Sequence, residues 1–183
     1  MTFDGYVAPS IFDVKGARDV AIEFNSLSKT YNMTGWRCGW ATGSKEICGA
    51  LAKTKSFIDT GQFMAVQAAG VAALESWAEF VPGNVRIFRE RRDTAVKSFA
   101  KAGFTATTPK ASMYLWMPLP DGLPSAAFAD RLMEEEGVIV MPGSAFGAGG
   151  EGFFRISFIA SPERIADAAI RAGRVLASMG AGV

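Results

Sequence analysis

The 183-residue sequence contains no histidine, only two cysteines and almost no net charge. Without histidine, the protein cannot use a Ser-His-Asp or Cys-His nucleophile or a His-ligated metal. Its 19 basic and 18 acidic residues leave a formal charge of +1, so no overall field attracts nucleic acid or an anionic membrane. Any catalysis must therefore use other groups, and we expect no nucleic-acid partner.

Metal-ligand sets and long apolar runs are also missing. Cys38 and Cys48 are ten residues apart with no third cysteine or histidine beside them, so we expect buried free thiols rather than a metal site. The longest uncharged run, from Thr60 to Leu74, is too short and too rich in Gln, Gly and Ala to span a bilayer. No basic-then-apolar leader opens the chain. These features predict a soluble, cytoplasmic protein without a membrane partner.

The first part of the sequence combines strand and helix patterns, as in an α/β protein. A short apolar run at 19–24 and an alternation of Trp, Cys and Trp within 35–41 predict two strands. Helical spacing of apolar residues follows, until Pro82 and Gly83 break the pattern. Two strands cannot bury both faces of an α/β sheet, so this part reads as a fragment of a larger one.

The part after residue 82 reads as a compact α/β domain of its own. Gly103 ends one predicted helix, and Ser161 followed by Pro162 begins another. The predicted helices are 85–101, 125–136 and 162–178, and the predicted strands are 104–107, 113–117, 138–141 and 153–158.

Two further motifs are better explained without a ligand. Gly147, Gly149 and Gly152 satisfy G-x-G-x-x-G, but they precede a predicted strand and no helix opens on them, so the phosphate-binding geometry is missing. Four arginines between residues 86 and 92 alternate with acidic side chains on a helix whose other face is apolar. This pattern predicts a solvated helix face rather than a nucleic-acid patch.

A polar segment between the first two predicted strands carries the strongest chemical signal. The hydroxyls of Ser26 and Ser28 and the guanidinium of Arg37, expected to project from the strand 35–41, are donors suited to a phosphate. Lys29 lies among them, and an amine beside a phosphate site can hold pyridoxal phosphate as a Schiff base. The alternative is an ordinary solvated lysine.

Residues 26–39 read SLSKTYNMTGWRCG, which resembles the pyridoxal-phosphate attachment motif of class I/II aminotransferases of fold type I. Four further strings, at 3–12, 16–24, 59–63 and 152–157, are similar to the LL-diaminopimelate aminotransferase branch of that family. The likeness extends over nearly the whole chain. It implies that residues 1–81 form the C-terminal portion of the large α/β cofactor domain and that 82–183 form the small α/β domain.

The resemblance implies a role for each matching residue. Lys29 would bind pyridoxal phosphate covalently and move a proton between the substrate α-carbon and the cofactor. Ser26, Ser28 and Arg37 would contact the cofactor phosphate. Arg155, in the string Phe-Arg-Ile-Ser, would hold the substrate α-carboxylate, a role that suits its two-pronged guanidinium. The alternative for Arg155 is a sheet-edge arginine paired with a glutamate.

The family also carries upstream residues that have no matching position here, including an aspartate at the pyridine nitrogen and a tyrosine at the cofactor hydroxyl. The chain therefore resembles the C-terminal half of such an enzyme, and alone it is expected to transaminate poorly or not at all. The implied reaction transfers an amino group between an amino acid and a 2-oxo acid in a homodimer, in lysine biosynthesis. An aspartate- or alanine-type aminotransferase and an inactive dimerising or ligand-binding remnant are the alternatives.

Overall fold

A computed structural model describes residues 1–180. They form two compact units, one of residues 1–85 and one that begins at Arg86, and both combine helices with antiparallel strands. The predicted α/β class is therefore confirmed. Within residues 1–180, no helix combines the length and the apolar character that crossing a bilayer requires.

The first unit contains a two-stranded antiparallel sheet, in which Ser26 lies opposite Gly39. Short helical turns precede and follow the first strand, and longer helices come after the second. The elements that begin in this unit are α1 (Ala17–Val20), β1 (Ile22–Ser26), α2 (Leu27–Thr30), β2 (Gly39–Gly43), α3 (Lys45–Ile58), α4 (Met64–Glu75) and α5 (Trp77–Lys101). From Arg86 onward, α5 belongs to the second unit.

Both strands of this sheet begin later than the sequence pattern predicted. Residues 17–20 form a helical turn, in which the N–H of Ala21 donates a hydrogen bond to the carbonyl of Ala17. β1 therefore does not start at residue 19. A 3-10 turn over Thr34–Trp36 and a left-handed Arg37, with φ of 53°, come before β2. The predicted strand 35–41 was therefore wrong at its start, because the chain must reverse tightly there. Arg37 lies in that reversal and not on a strand.

The predicted break at Pro82 was also wrong, because α5 runs through it. The interruption lies earlier, at Ser76. Its N–H donates to the carbonyl of Ala72 at the end of α4, and its own carbonyl accepts the N–H of Phe80 at the start of α5. Proline lacks one N–H donor, which costs the helix a single hydrogen bond near its beginning. The local loss is tolerated because the rest of the 25-residue helix continues.

The second unit is a three-stranded antiparallel sheet with helices packed around a phenylalanine cluster. The strand order is β3-β5-β4, so β5 is the middle strand. Rings of the cluster lie 4.9 to 6.3 Å apart and are almost fully buried; they belong to Phe99, Phe104, Phe128 and Phe154. The elements are β3 (Tyr114–Pro118), α6 (Ser125–Glu136), β4 (Met141–Pro142), β5 (Phe153–Ser157) and α7 (Pro162–Gly180).

Gly103 explains why the predicted strand 104–107 is absent. Its φ of 94° reverses the chain, and the N–H of Phe104 then bonds the carbonyl of Phe99. Phe104 is thereby directed into the core instead of into the sheet. The predicted strand 138–141 is likewise reduced to β4, which pairs with β5 only through Met141 and Pro142.

The arginine-rich face of α5 is not wholly solvated, which corrects the sequence prediction. Arg92 is only 4% exposed and lies on the same helix face as Phe88, Ala95 and Phe99. Its Nε donates to the carboxylate of Asp93 at 2.8 Å. Such partners offset the cost of burying a guanidinium, so Arg92 is part of the packed face of α5 and not of a solvated one.

The turn between β4 and β5 depends on the close approach of two glycines. A Cβ on Gly143 would lie 1.9 Å from the carbonyl oxygen of Gly150. We therefore expect Gly143→Ala to lower the free energy of unfolding by about 1 to 3 kcal/mol, because the backbone must shift. Urea unfolding measures this. Gly149→Ala is the matched control, since a Cβ there meets nothing within 4 Å. Equal losses in both variants would contradict the explanation.

Candidate functional site

The lysine-bearing turn begins where β1 ends. Ser26 is the last residue of β1 and caps α2, and its hydroxyl accepts the N–H of Ser28 at 3.1 Å. The same hydroxyl donates to the hydroxyl oxygen of Ser28 at 2.9 Å. Leu27, which is 1% exposed, fixes the turn in the unit, while the side chain of Lys29 is exposed to solvent. Two hydroxyls and one amine therefore share a single fixed turn.

Thr34 connects this turn to Arg37. The Thr34 hydroxyl donates to the carbonyl of Ser28 at 2.9 Å, and Nη1 of Arg37 donates to the carbonyl of Thr34 at 3.0 Å. The carbonyl of the left-handed Arg37 accepts a hydrogen bond from Nε2 of Gln62. The structure thus brings the predicted residues of this unit into one segment, although it holds Arg37 in a turn.

The start of α5 holds the other end of the lysine-bearing turn. Asn84, only 6% exposed, donates to the carbonyl of Thr30 at 3.0 Å and accepts from Nδ2 of Asn32 at 3.1 Å. The ring of Tyr31 stacks on that of Phe80, with centroids 6.1 Å apart. These contacts fix the turn against a long helix. Asn84 was not predicted from the sequence, because it comes directly after Pro82 and Gly83, where a break in the helix was expected.

Arg155 lies in the middle strand of the second unit, opposite Trp116 on one side and Met141 on the other. Its position in β5 is not a sheet edge, so that part of the alternative interpretation is wrong. The preceding residue, Phe154, is fully buried, whereas Arg155 is half-buried on the other face. The strand therefore presents Arg155 on the face of the sheet that also carries Phe153 and Trp116.

Two rings contact the guanidinium of Arg155. Its central carbon lies 4.3 Å from the ring centroid of Tyr114 and 4.5 Å from that of Phe146. Trp116 extends the aromatic surface, because its ring lies 5.5 Å from Phe146 and 5.6 Å from Phe153. Cation–π contacts of this kind hold a guanidinium without using its N–H donors. Those donors are left to bind an anion.

A cavity of about 500 Å³ adjoins Arg155 within the second unit. The charged and polar parts of its wall come from Arg155, Ser157, Arg164, Asp167 and Arg171, and Ile139 and Ile159 supply apolar parts. Ligand sites commonly have this size and this mixture of apolar wall and few polar groups. The structure therefore has a cavity of ligand size that Arg155 helps to line.

The turn that carries Phe146 is attached to α6 through Glu151 and Ser125. The fully buried Ser125 donates its N–H to Oε1 of Glu151 at 2.6 Å and its hydroxyl to Oε2 at 3.1 Å. The N–H of Ser144 donates to the Ser125 hydroxyl at 3.2 Å. Backbone N–H donors, first that of Ser125 and then that of Gly152, hold the pKa of Glu151 below its ordinary value.

This attachment should make the stability of the second unit depend on pH. Because the pKa of Glu151 is lower in the folded protein, its stabilising effect is present above the ordinary value of 4.5 and is lost as the pH falls. We expect the difference in unfolding free energy between wild type and Glu151→Gln to be largest at neutral pH and to shrink below 4.5. Urea titrations across this range measure it, and a difference independent of pH would contradict the assignment.

Comparison with known protein families gives one match over most of the chain. Residues 2–171 match the family described as aminotransferase class I and II. The chain is 49% identical over 176 residues to the LL-diaminopimelate aminotransferase of Moorella thermoacetica, covering 96% of this chain and 45% of that protein. It is 45% identical to the enzyme of the same name from Desulforudis audaxviator, covering 92% and 43%.

Solved structures agree with this match in fold. A probable N-succinyldiaminopimelate aminotransferase from Thermus thermophilus superposes with a TM-score of 0.88 at 38% identity, over 95% of this chain and 46% of that one. An aromatic aminotransferase from Pyrococcus horikoshii gives 0.90 at 32% identity, over 98% and 49%. The chain thus spans less than half the length of these proteins.

Proposed function

The chain belongs to the class I and II aminotransferase family, and on that premise we propose that it supplies the cofactor lysine and the carboxylate-binding arginine of a pyridoxal-phosphate-dependent aminotransferase. The observation that carries this proposal is the short helical turn that bears Ser28 and Lys29, which Ser26 caps and which Thr34 joins, from the Ser28 carbonyl, to Arg37. In this proposal residues 1–81 form the last part of the cofactor domain, and residues 82–183 form the small domain.

The chemistry of these side chains fits pyridoxal phosphate, the cofactor that the family uses in general. The Ser28 hydroxyl is suited to donate to a phosphate oxygen, the Ser26 hydroxyl would do so by releasing its bond to Ser28, and Arg37 adds a permanent positive charge. Lys29 supplies the primary amine that an aldehyde requires. When bound, the cofactor supplies a sink for the electrons released at the substrate α-carbon.

Each residue then has a distinct task. Lys29 would hold the cofactor through Nζ, and its free amine would serve as the base that moves the proton of the substrate α-carbon. Ser26, Ser28 and Arg37 retain the phosphate. Arg155 orients the substrate by two parallel hydrogen bonds to its α-carboxylate, and the adjoining cavity gives that ligand room.

For the substrate, we propose the reversible reaction in which glutamate, tetrahydrodipicolinate and one water give 2-oxoglutarate and LL-diaminopimelate. Relatives at 44 to 49% identity named LL-diaminopimelate aminotransferase support this choice. An aspartate aminotransferase from Thermotoga maritima has a similar fold at 33% identity, which keeps a broader aspartate- or alanine-type activity as the second candidate.

We also propose that the protein works as a cytoplasmic homodimer. Large apolar side chains in the first unit are exposed, including Phe57 at 84%, Met64 at 79% and Trp77 at 60%, and such surface is typical of protein interfaces. Cys38 and Cys48 are free and half-buried, which suits a reducing compartment.

Amino transfer by a fusion protein of the length of the relatives tests the proposal. The N-terminal part of the Moorella enzyme that precedes the matched region would be fused to this chain, and glutamate formation from 2-oxoglutarate would be followed with pyridoxal phosphate present. We expect LL-diaminopimelate to be a far better donor than aspartate or alanine. Equal or better rates with aspartate or alanine would favour the second candidate. A folded fusion without transfer from any donor would favour the inactive remnant.

A further inference from the structure

We propose that Phe146 is a positioning residue that orders the guanidinium of Arg155, and that the glycine-rich turn between β4 and β5 serves to hold its ring there. The inference rests on the proposed function only for its purpose, which is to present Arg155 to a carboxylate. Its physical content, the order of one side chain, stands on the contacts within the second unit.

Position on the sheet cannot by itself explain how Arg155 is held. Tyr114 belongs to β3 and contacts the guanidinium as a neighbour on the same face. Phe146 belongs to no strand, yet its ring comes within 4.5 Å of the same guanidinium carbon. A second ring restricts the rotation of a long, flexible side chain, and a restricted guanidinium loses less entropy when a ligand binds.

Burial does not explain the position of Phe146 either. Its side chain is 49% exposed, so packing into the core gives only part of the stabilisation that a buried phenylalanine provides. Its ring contacts Arg155 and Trp116, which lie on the same face of the sheet. The ring therefore covers the cation rather than filling the core.

The turn is built with a rigidity that suits this task. Gly143 and Gly150 approach so closely that a Cβ on either would meet the other's carbonyl oxygen at about 2 Å. Ser144, three residues after β4 begins, is attached to α6 through Ser125 and Glu151. Phe146 follows two residues after Ser144, so the network that fixes the turn also fixes the ring.

The order of the Arg155 side chain can be measured directly in the 183-residue chain. Relaxation of the Arg155 Nε–H signal by NMR reports it, and the signal is assigned by its loss in Arg155→Lys. We expect Phe146→Leu to lower the Nε–H order parameter clearly and Phe146→Tyr, which keeps a ring, to preserve it. Phe153→Leu is the matched control, because Phe153 stacks on Trp116 on the same face.

Two outcomes would overturn the proposal. One is an Arg155 side chain as ordered in Phe146→Leu as in wild type. The other is equal disorder in Phe153→Leu, which would indicate general loosening of the sheet. Titration with 2-oxoglutarate in the same samples gives a separate readout, in which we expect Phe146→Leu to weaken binding about 3- to 10-fold. If the order parameter falls as expected but wild type does not bind 2-oxoglutarate, the positioning role stands and the proposed carboxylate site fails.

Discussion

Replacing Lys29 by alanine should abolish the covalent retention of pyridoxal phosphate by this chain. Borohydride reduction makes the bond between the cofactor aldehyde and an amine permanent, so the intact mass shows how much cofactor is bound. Lys29 lies in one turn with two hydroxyls, and Thr34 joins the Ser28 carbonyl of that turn to Arg37, a combination suited to a phosphate and an aldehyde together. We expect stoichiometric cofactor to label wild type and to leave Lys29→Ala unlabelled.

Two controls distinguish this site from casual reaction with surface amines. Lys45→Ala and Lys53→Ala remove exposed lysines of α3 and should keep the wild-type level of label. Pyridoxal, which lacks the phosphate, should label Lys29 far less than pyridoxal phosphate, because Ser26 and Arg37 would have nothing to hold. Wild-type labelling of Lys29→Ala would refute the assignment of the cofactor amine.

The second large effect concerns Arg155→Lys, which keeps the charge but loses the two-pronged geometry. A lysine ammonium cannot form two parallel hydrogen bonds to one carboxylate, nor can it reproduce the contacts of the guanidinium with Tyr114 and Phe146. In the fusion described above, we expect kcat/KM to fall roughly 30- to 900-fold for every amino acid. This corresponds to a loss of about 2 to 4 kcal/mol of transition-state stabilisation. Steady-state kinetics with several donors measure this.

The control for Arg155→Lys is Arg164→Lys, which alters another arginine of the same cavity wall. It should affect kcat/KM much less, and borohydride trapping of the cofactor should be unchanged in both variants. If Arg155→Lys instead released the cofactor and left amino-acid affinity intact, the proposed roles of Arg37 and Arg155 would have to be exchanged.

Much of the fold was predictable where a local signal is strong. The helix start at Pro162 and the helix end at Gly103 agree with the structure, because proline and glycine act on the backbone of their own turn. The predicted strand bounds were wrong where the chain reverses tightly before the strand. The left-handed Arg37 and the 3-10 turn before it are not evident from an alternation of large side chains.

The candidate site shows the same division. Ser26, Ser28, Lys29 and Arg37 lie within one short stretch, so their proximity could be expected from the sequence. Gln62 and Asn84 reach that stretch from 25 and 52 residues away, and no local pattern encodes such contacts. Tyr114 and Trp116 come beside Arg155 through the register of β3 against β5, and Phe146 through the turn after β4, and only the folded unit defines either.

The central claim is that Lys29, and no other lysine, is the amine of a phosphate-anchored cofactor site. Peptide mapping of the unaltered chain after treatment with one equivalent of pyridoxal phosphate and borohydride tests it most directly. The account predicts that the label is found on the peptide that contains Lys29. A label spread evenly over Lys15, Lys45 and Lys53 would contradict it.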